Sequence, residues 1–485
     1  MFLSNLPEVA PGQNITGGAS MGEVADLRKA LEAGYGTDVA SLTGGGALRI
    51  QSLDKTMKAT VQENRHFALF NNIQKSVATA TIDEWTEQSD VGGFLGGTTN
   101  SELGVISSAN GQYDRRYGTV RYLMTRCEIS AVLANQNAII GAEAVEYRNG
   151  AMRLLSDAEF LCFEGDDRVV PTEFSGIATQ MESLDSVDHI INMEAMPLNS
   201  IGPIDRGAAT ISGMGNFGTA THLYMSQLTQ ADFNSNLDPA FRVPLTDVPN
   251  GGISIGAPVV GIRTSWGNIA TVADIFIRDE NRQTPFELHS ASNRLVAAKN
   301  LFKPASVTAV ADESGGVDTK WGENHAGMYY YAVTGINPSG QSQALVTSQV
   351  AVAKGGKITL TITSSAGGEE TGYVIYRGRK NGSGELHDLR QMCKIPKTGN
   401  TTVYVDKNRK IPGTTKAFLL NMLPGAEAIN WRQYLPMTKF ALYPVNQAII
   451  PWAQMLFGYL RIAKRRQHIM FENILPTGAQ WRPFG

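Results

Sequence analysis

The chain is poor in cysteine, in charge and in long apolar runs. Its three cysteines, Cys127, Cys162 and Cys393, lie far apart and are odd in number. They form neither a disulfide framework nor the paired spacing of a zinc site, and they fit a reducing cytoplasm. No run reaches the ~18 apolar residues of a membrane span. Ile449 to Leu460 comes nearest and is broken by Pro451, Gln454 and Gly458. Met1-Phe2-Leu3-Ser4 lacks the basic-then-apolar order of a secretion signal. Only 18% of the 485 residues are charged, 42 basic against 45 acidic, for a formal net charge of −3. A protein that binds nucleic acid over its whole surface would be basic, so only a local basic face is left open.

Apolar residues make up 42% of the chain, enough for several cores, which excludes disorder of the whole molecule. Fifty glycines suit an extended, loop-rich chain better than a tight enzyme core. Residues 1–20 read as an arm, because Pro7, Pro11, Gly12, Gly17 and Gly18 prevent regular structure. Ser20 and Glu23 have capping-box spacing and open a short helix. Val77 to Trp85 and Thr119 to Val132 alternate and predict the two arms of a long hairpin. The Gly-, Ser- and Asn-rich stretch between them is far too long for a turn, which points to function or assembly. A helix is predicted from about Asn137 to Phe163, on which Ile140, Ala144, Tyr147, Ala151, Leu154, Leu155, Ala158 and Leu161 recur at helical spacing. Short helices and strands then mix: helices at Gly176–Ser183, Ile204–Ser212 and Ser226–Phe233, and strands at His222–Met225, Val259–Arg263 and Thr271–Ile277.

Composition changes near residue 300. Lysine is absent between Lys75 and Lys299, yet eleven of the seventeen lysines fall from Lys299 to Lys416. The pattern there is purely β, with strands at Val307–Val310, Met328–Ile336, Val346–Ala353, Lys357–Thr363, Gly372–Arg377 and Thr402–Asp406 at the near-regular spacing of a small sandwich. After about Leu419 the mixed pattern resumes. One domain inserted into another is the simplest reading.

Catalytic matches fail their context. Gly18-Ala19-Ser20-Met21-Gly22 matches a nucleophile elbow, but a Pro/Gly arm precedes it instead of a strand. Gly213-Met214-Gly215-Asn216-Phe217-Gly218 matches a dinucleotide loop with its flanks reversed, and reads as a helix-to-strand turn. Glu164, Asp166 and Asp167 lack the spacing of a calcium loop and read as a polar helix end. The seven histidines, His66, His189, His222, His289, His325, His387 and His468, are scattered. No catalytic, cofactor or metal residue is therefore assigned.

Two charged groups remain. Arg461, Lys464, Arg465 and Arg466, within a predicted strand Tyr459–Ile474, are either a solvated face or phosphate contacts that need no sequence readout. Asp114, Arg115, Arg116, Arg121 and Arg126 stand against Glu84, Glu87, Asp90 and Glu102 on the hairpin. They pair either within the chain, where each pair contributes little, or across subunits, where complementarity fixes register.

The order of elements resembles the major capsid protein of tailed bacteriophages, the Hong Kong 97-type fold, in a myovirus-like form. The most specific stretches are Leu48–Lys58, Arg153–Asp167, which ends the helix in Phe163-Glu164-Gly165-Asp166, and Gly218–Ser226. The resemblance implies an α+β chain with an N-arm and extended segment (1–76), an E-loop (77–132) and a P-domain with a spine helix (133–200). It further implies a first part of an A-domain (201–303), an inserted immunoglobulin- or fibronectin-like β-sandwich (304–418), and a return to the A- and P-domains (419–485). It implies a non-enzymatic shell of hexamers and pentamers around packaged double-stranded DNA. Intersubunit E-loop charges would be Glu84, Glu87, Asp114, Arg115, Arg116 and Arg121, and a DNA-facing cluster Arg461, Lys464, Arg465 and Arg466. Implied partners are further copies of the chain, scaffold, portal and decoration or cement proteins, and host-surface glycans through 304–418. Assembly in the bacterial cytoplasm, no membrane contact and no cofactor are also implied. Some members cross-link subunits through an E-loop lysine; this E-loop has none, so that chemistry does not carry over. The alternatives are an encapsulin-like nanocompartment shell and a surface carbohydrate-binding adhesin.

Overall fold

A computed structural model describes residues 66–106, 108–135, 141–184, 187–236, 261–280, 302–445 and 447–485. The predicted arm, the Ser20–Glu23 capping box, the Gly18–Gly22 match, Leu48–Lys58 and His289 lie outside the described residues.

The long helix forms as Ala142–Glu164, and the predicted start from Asn137 to Ile140 lies outside the described residues. Its 23 residues rise ~35 Å. Leu154, Ala158, Leu161 and Cys162 are buried on one face, over a core that includes Phe70, Trp431, Leu456 and Leu460. The helix lies on a four-stranded sheet with the order Gln74–Val77, Ile429–Ala441, Ile449–Ile462, Arg121–Ser130. A six-stranded sheet holds the second core with the helix Ile201–Ser212. Its order is Ile190–Asn192, Ile469–Ile474, Thr415–Leu420, His222–Met225, Gly267–Ala273, Gly261–Thr264.

Four sequence expectations are corrected. The second hairpin arm is Gln112–Thr119, paired with Ile82–Asp90. After buried Val120 the chain continues as Arg121–Ser130, which pairs with Ile449–Gly458 instead. The reason is burial: Arg121–Ser130 alternates because one face lies on the body, whereas the true arm buries no residue fully and carries no alternation to read. The predicted strand Tyr459–Ile474 is two strands separated by a 3₁₀ turn at Arg465–Gln467. The long strands Ile429–Ala441 and Ile449–Ile462, and the strand Leu389–Pro396, were not expected. Finally, a sandwich ending at residue 418 is not what forms. Thr415–Leu420 is an interior strand of the six-stranded sheet, with Ala417 and Phe418 fully buried, so the inserted segment closes with Thr401–Asp406.

The sandwich itself packs a three-stranded sheet (Thr401–Asp406, Lys357–Thr363, Ser306–Asp312) on a five-stranded one containing Tyr331–Asn337, Gly372–Gly378 and Leu389–Pro396. Every residue of Gly372–Gly378 is buried, because its two faces serve two cores. Tyr373 and Ile375 point into the sandwich, while Val374 and Tyr376 pack with Val169 and Val170 of the body. Gly372 is required at this contact, since a Cβ there would lie 2.6 Å from a Val169 methyl. Residues 407–414 form a strap back to the body. Asn473 accepts the Ile411 N–H (2.8 Å) and donates to the Arg409 carbonyl (2.7 Å), while Lys410 pairs with Glu182 at 2.6 Å.

Candidate assembly surfaces

Among the described residues the hairpin is a pair of strands with no third strand beside it, and two strands alone are marginal in water. Its root is therefore anchored by chemistry. Asp83 receives both Nε (2.6 Å) and Nη2 (2.9 Å) of Arg432 and the Tyr459 hydroxyl (2.6 Å). Burial pushes the Asp83 carboxyl up, but the Arg432 and Tyr459 hydrogen bonds outweigh it and hold the group below its ordinary value. Gly118 lets the second arm lie on Tyr459, whose ring would be 2.1 Å from a Cβ there. Trp85 packs against the body core from the first arm.

Beyond the root, charges pair across the strands. Arg115 lies 3.4 Å from Glu84, Arg116 3.3 Å from Glu87, and Arg121 3.9 Å from Asp167. Each of the three arginines thus has a carboxylate within its own chain, and the Arg115 pair is largely exposed. Asp114 stands directly opposite Glu87 in register. It has no cation within 4 Å among the described residues. At the tip, Val91, Phe94, Leu95, Leu103, Val105 and Ile106 are 75–97% exposed. That apolar cluster is a feature that charge-pattern reasoning missed; the sequence signal was Phe94-Leu95 and Val105-Ile106 set among glycines.

The structure divides the basic cluster. Arg461 is only 9% exposed; it donates to Asn430 (3.0 Å), approaches Glu427 (3.5 Å) and lies over the Trp85 ring. Arg465 donates to the Ser183 hydroxyl (3.2 Å) and lies 3.9 Å from Glu87, bracing the hairpin. Lys464 and Arg466 are exposed.

Gly213–Gly218 joins the helix Ile201–Ser212 to the strand His222–Met225, the helix-to-strand turn read from the sequence. The Glu164–Asp167 run closes the spine helix. Lys416 lies 3.3 Å from Glu164, Arg168 binds Asp166 at 2.8 Å, and Ser175 donates to Asp167 at 2.6 Å. Among the described residues no cluster of His, Cys, Asp or Glu is arranged to hold a metal ion, and no helix is long and apolar enough to cross a membrane. All three cysteines are buried and unpaired.

No family model matches the chain. Its sequence is 23% identical over 460 residues to the major capsid proteins of Staphylococcus phage S25-3 and Staphylococcus phage K, covering 93% of this chain and 95% of each relative. Among solved structures, a capsid chain of a native GTA particle aligns with 90% of this chain and all of its own, at 8% identity and a TM-score of 0.47. The SrpI encapsulin of Synechococcus elongatus aligns with 92% of this chain and 98% of its own, at 8% identity and a TM-score of 0.39. The resemblance to phage major capsid proteins carried by the sequence is thus shown over almost the whole chain by the curated relatives.

Proposed function

We propose that this chain is the major capsid protein of a tailed phage, a non-enzymatic protomer of an icosahedral shell of hexamers and pentamers around double-stranded DNA. The observation that carries the reading is the near end-to-end similarity to phage major capsid proteins. The projecting hairpin supports it. A two-stranded arm with an exposed apolar tip is a poor feature for a monomer and a suitable one for lying over a neighbour. Repetition over many copies makes weak contacts collectively strong. The E-loop charges Glu84, Glu87, Asp114, Arg115, Arg116 and Arg121 exchange partners with adjacent copies in this reading, and Asp114, which faces Glu87 and has no cation within 4 Å among the described residues, supports it. Contact with DNA falls to Lys464 and Arg466, since Arg461 and Arg465 are engaged inside the chain. Scaffold, portal and decoration proteins, surface glycans on the sandwich, and assembly in the bacterial cytoplasm belong to the same reading. Electron microscopy of the purified protein and of infected lysate tests it. Closed shells containing DNA are expected. Shells enclosing protein cargo would favour the nanocompartment alternative, and monomers alone would overturn both.

A further inference from the structure

Two acids meet in the core that the spine helix shares with the six-stranded sheet. Glu159, from the helix, is fully buried, and Asp274, which follows the strand Gly267–Ala273, is 1% exposed. They stand within hydrogen-bonding reach of each other. Both Glu159 oxygens are taken by the backbone N–H groups of Leu69 and Phe70. Asp274 Oδ1 accepts the Phe276 N–H at 2.8 Å, while Oδ2 is buried and receives no hydrogen bond. Neither acid has a cation within 4 Å among the described residues. Two adjacent carboxylates out of water cannot both stay ionised, so the pair keeps a proton.

The neighbouring groups supply no charge in its place. Cys162 faces the pair from the helix, and burial together with both acids holds its thiol well above the ordinary value. Tyr224 faces it from the strand His222–Met225, and burial likewise raises its hydroxyl. That hydroxyl accepts the Asn72 amide at 3.2 Å and donates to the Met422 sulfur at 3.4 Å. Lys75, further along the same segment as Asn72, stands 4.5 Å over the Phe70 ring.

The pair touches three parts of the fold at once. Glu159 belongs to the spine helix. Leu69 and Phe70 belong to the short helix Ala68–Asn72, through which the N-terminal residues join the body. The Asp274 N–H donates to the Met225 carbonyl of the sheet at 2.9 Å, and the Phe276 ring stacks on Phe67 with 5.5 Å between centroids.

We propose that the proton shared by Glu159 and Asp274 is a lock: while it is held, residues 67–72 are clamped against the spine helix, and when it leaves, that segment opens and the rest of the body stays folded. Release breaks one carboxyl O–H bond; the electron pair stays on the carboxylate and the proton passes to base in the solvent. Two like charges then share a site with three N–H donors, and water can hydrate them only by entering where residues 67–72 lie. The Glu159 carboxyl, pushed up to about 9 by burial and by Asp274, returns toward its ordinary 4.5 once hydrated. The lock is therefore tight below the lower value, loosens as pH rises, and is lost through the upper one. It belongs to the protomer and needs no neighbouring copy.

Hydrogen exchange of the full-length protomer, read by mass spectrometry, tests the lock. Each rate is divided by the intrinsic rate at the same pH, under conditions where closing outpaces exchange. Between about pH 6 and pH 8, protection of residues 67–72 and 274–277 is expected to fall by up to about tenfold per pH unit, the slope of one released proton. Protection of Ile469–Ile474, an interior strand of the same sheet, is expected to hold steady. Glu159→Gln with Asp274→Asn puts amide N–H groups where the proton stands and leaves nothing to titrate, so its protection at 67–72 is expected to be flat. If circular dichroism shows that this double variant does not fold, Glu159→Gln alone takes its place, with a shallower slope than the wild type expected. Flat wild-type protection at 67–72 overturns the lock. An equal fall at Ile469–Ile474 overturns it too, since the proton would then leave only on global unfolding. A variant that keeps the wild-type slope does the same.

Discussion

Glu159 is a charge-bearing residue in the middle of the spine helix and is fully buried. Its two oxygens accept the backbone N–H groups of Leu69 (2.7 Å) and Phe70 (2.8 Å), tying the start of the described chain to the helix. Burial and the neighbouring Asp274 push its carboxyl up to about 9, and Cys162 and Tyr224 face the same site. The folded chain therefore keeps a proton there that the unfolded chain releases near its ordinary value of 4.5. Stability from this group is complete below that value and is lost as pH rises through about 9. The slope is at most ~1.4 kcal/mol per pH unit. Glu159→Gln keeps a neutral side chain of similar shape. Urea unfolding of the protomer at several pH values between 5 and 9, an interval of about four units set by this shift, is expected to show a steeper decline for the wild type than for the variant. Parallel pH profiles would assign the proton elsewhere. The residue is legible in the sequence only as a charge on a helix; its burial comes from contacts 89 and 90 positions away.

At the scale of elements, the hairpin carries two kinds of charge. Asp83 and Arg432 fasten the root, whereas Arg115 and Arg116 sit further out against Glu84 and Glu87. Exposed pairs are worth ~0–1 kcal/mol each, so removing the outer two should leave the protomer folded. Arg115→Glu with Arg116→Glu is expected to block shell closure while thermal unfolding of the protomer shifts little. Normal shells from that double variant would show that the pairing is wholly internal. The hairpin was visible in the sequence as two segments and a long glycine-rich tip. Its second arm was misplaced because solvent-exposed strands carry no hydrophobic period, while the neighbouring half-buried strand does.

At the scale of the whole molecule, the sandwich is docked, with Val169 and Val170 buried beneath Val374 and Tyr376. Val169→Asp places an unpaired charge in that contact without touching the core that contains Trp321. An uncompensated buried charge costs several kcal/mol. Limited proteolysis is expected to cut the 407–414 strap of the variant faster than that of the wild type, with tryptophan fluorescence from the sandwich preserved. An unchanged cleavage rate would mean that the strap and the C-terminal residues hold the sandwich without this face. Trp481 contributes to that hold, donating its indole N–H to the Asp388 carbonyl at 3.1 Å. A separate expectation concerns the shell. With no lysine between Lys75 and Lys299, the hairpin lacks the amine for a covalent link to a neighbour. Mature particles are expected to dissolve to one monomer band in hot detergent, and a ladder resistant to boiling and reductant would contradict this.

The sequence by itself determined the spine helix, the helix-to-strand turn at Gly213–Gly218, the β character of the inserted segment and the family resemblance. These rest on local information: apolar periodicity, glycine punctuation and composition. Tertiary structure alone decided where Arg121–Ser130 pairs, that Thr415–Leu420 is an interior strand of the body, and that Arg461 and Arg465 are turned inward. It also decided that the hairpin tip is apolar and exposed. The physical reason is common to all of these. Each depends on which distant segment supplies the hydrogen-bond partner or covers the apolar face, and in this chain those partners lie up to several hundred residues away, as Arg432 does from Asp83.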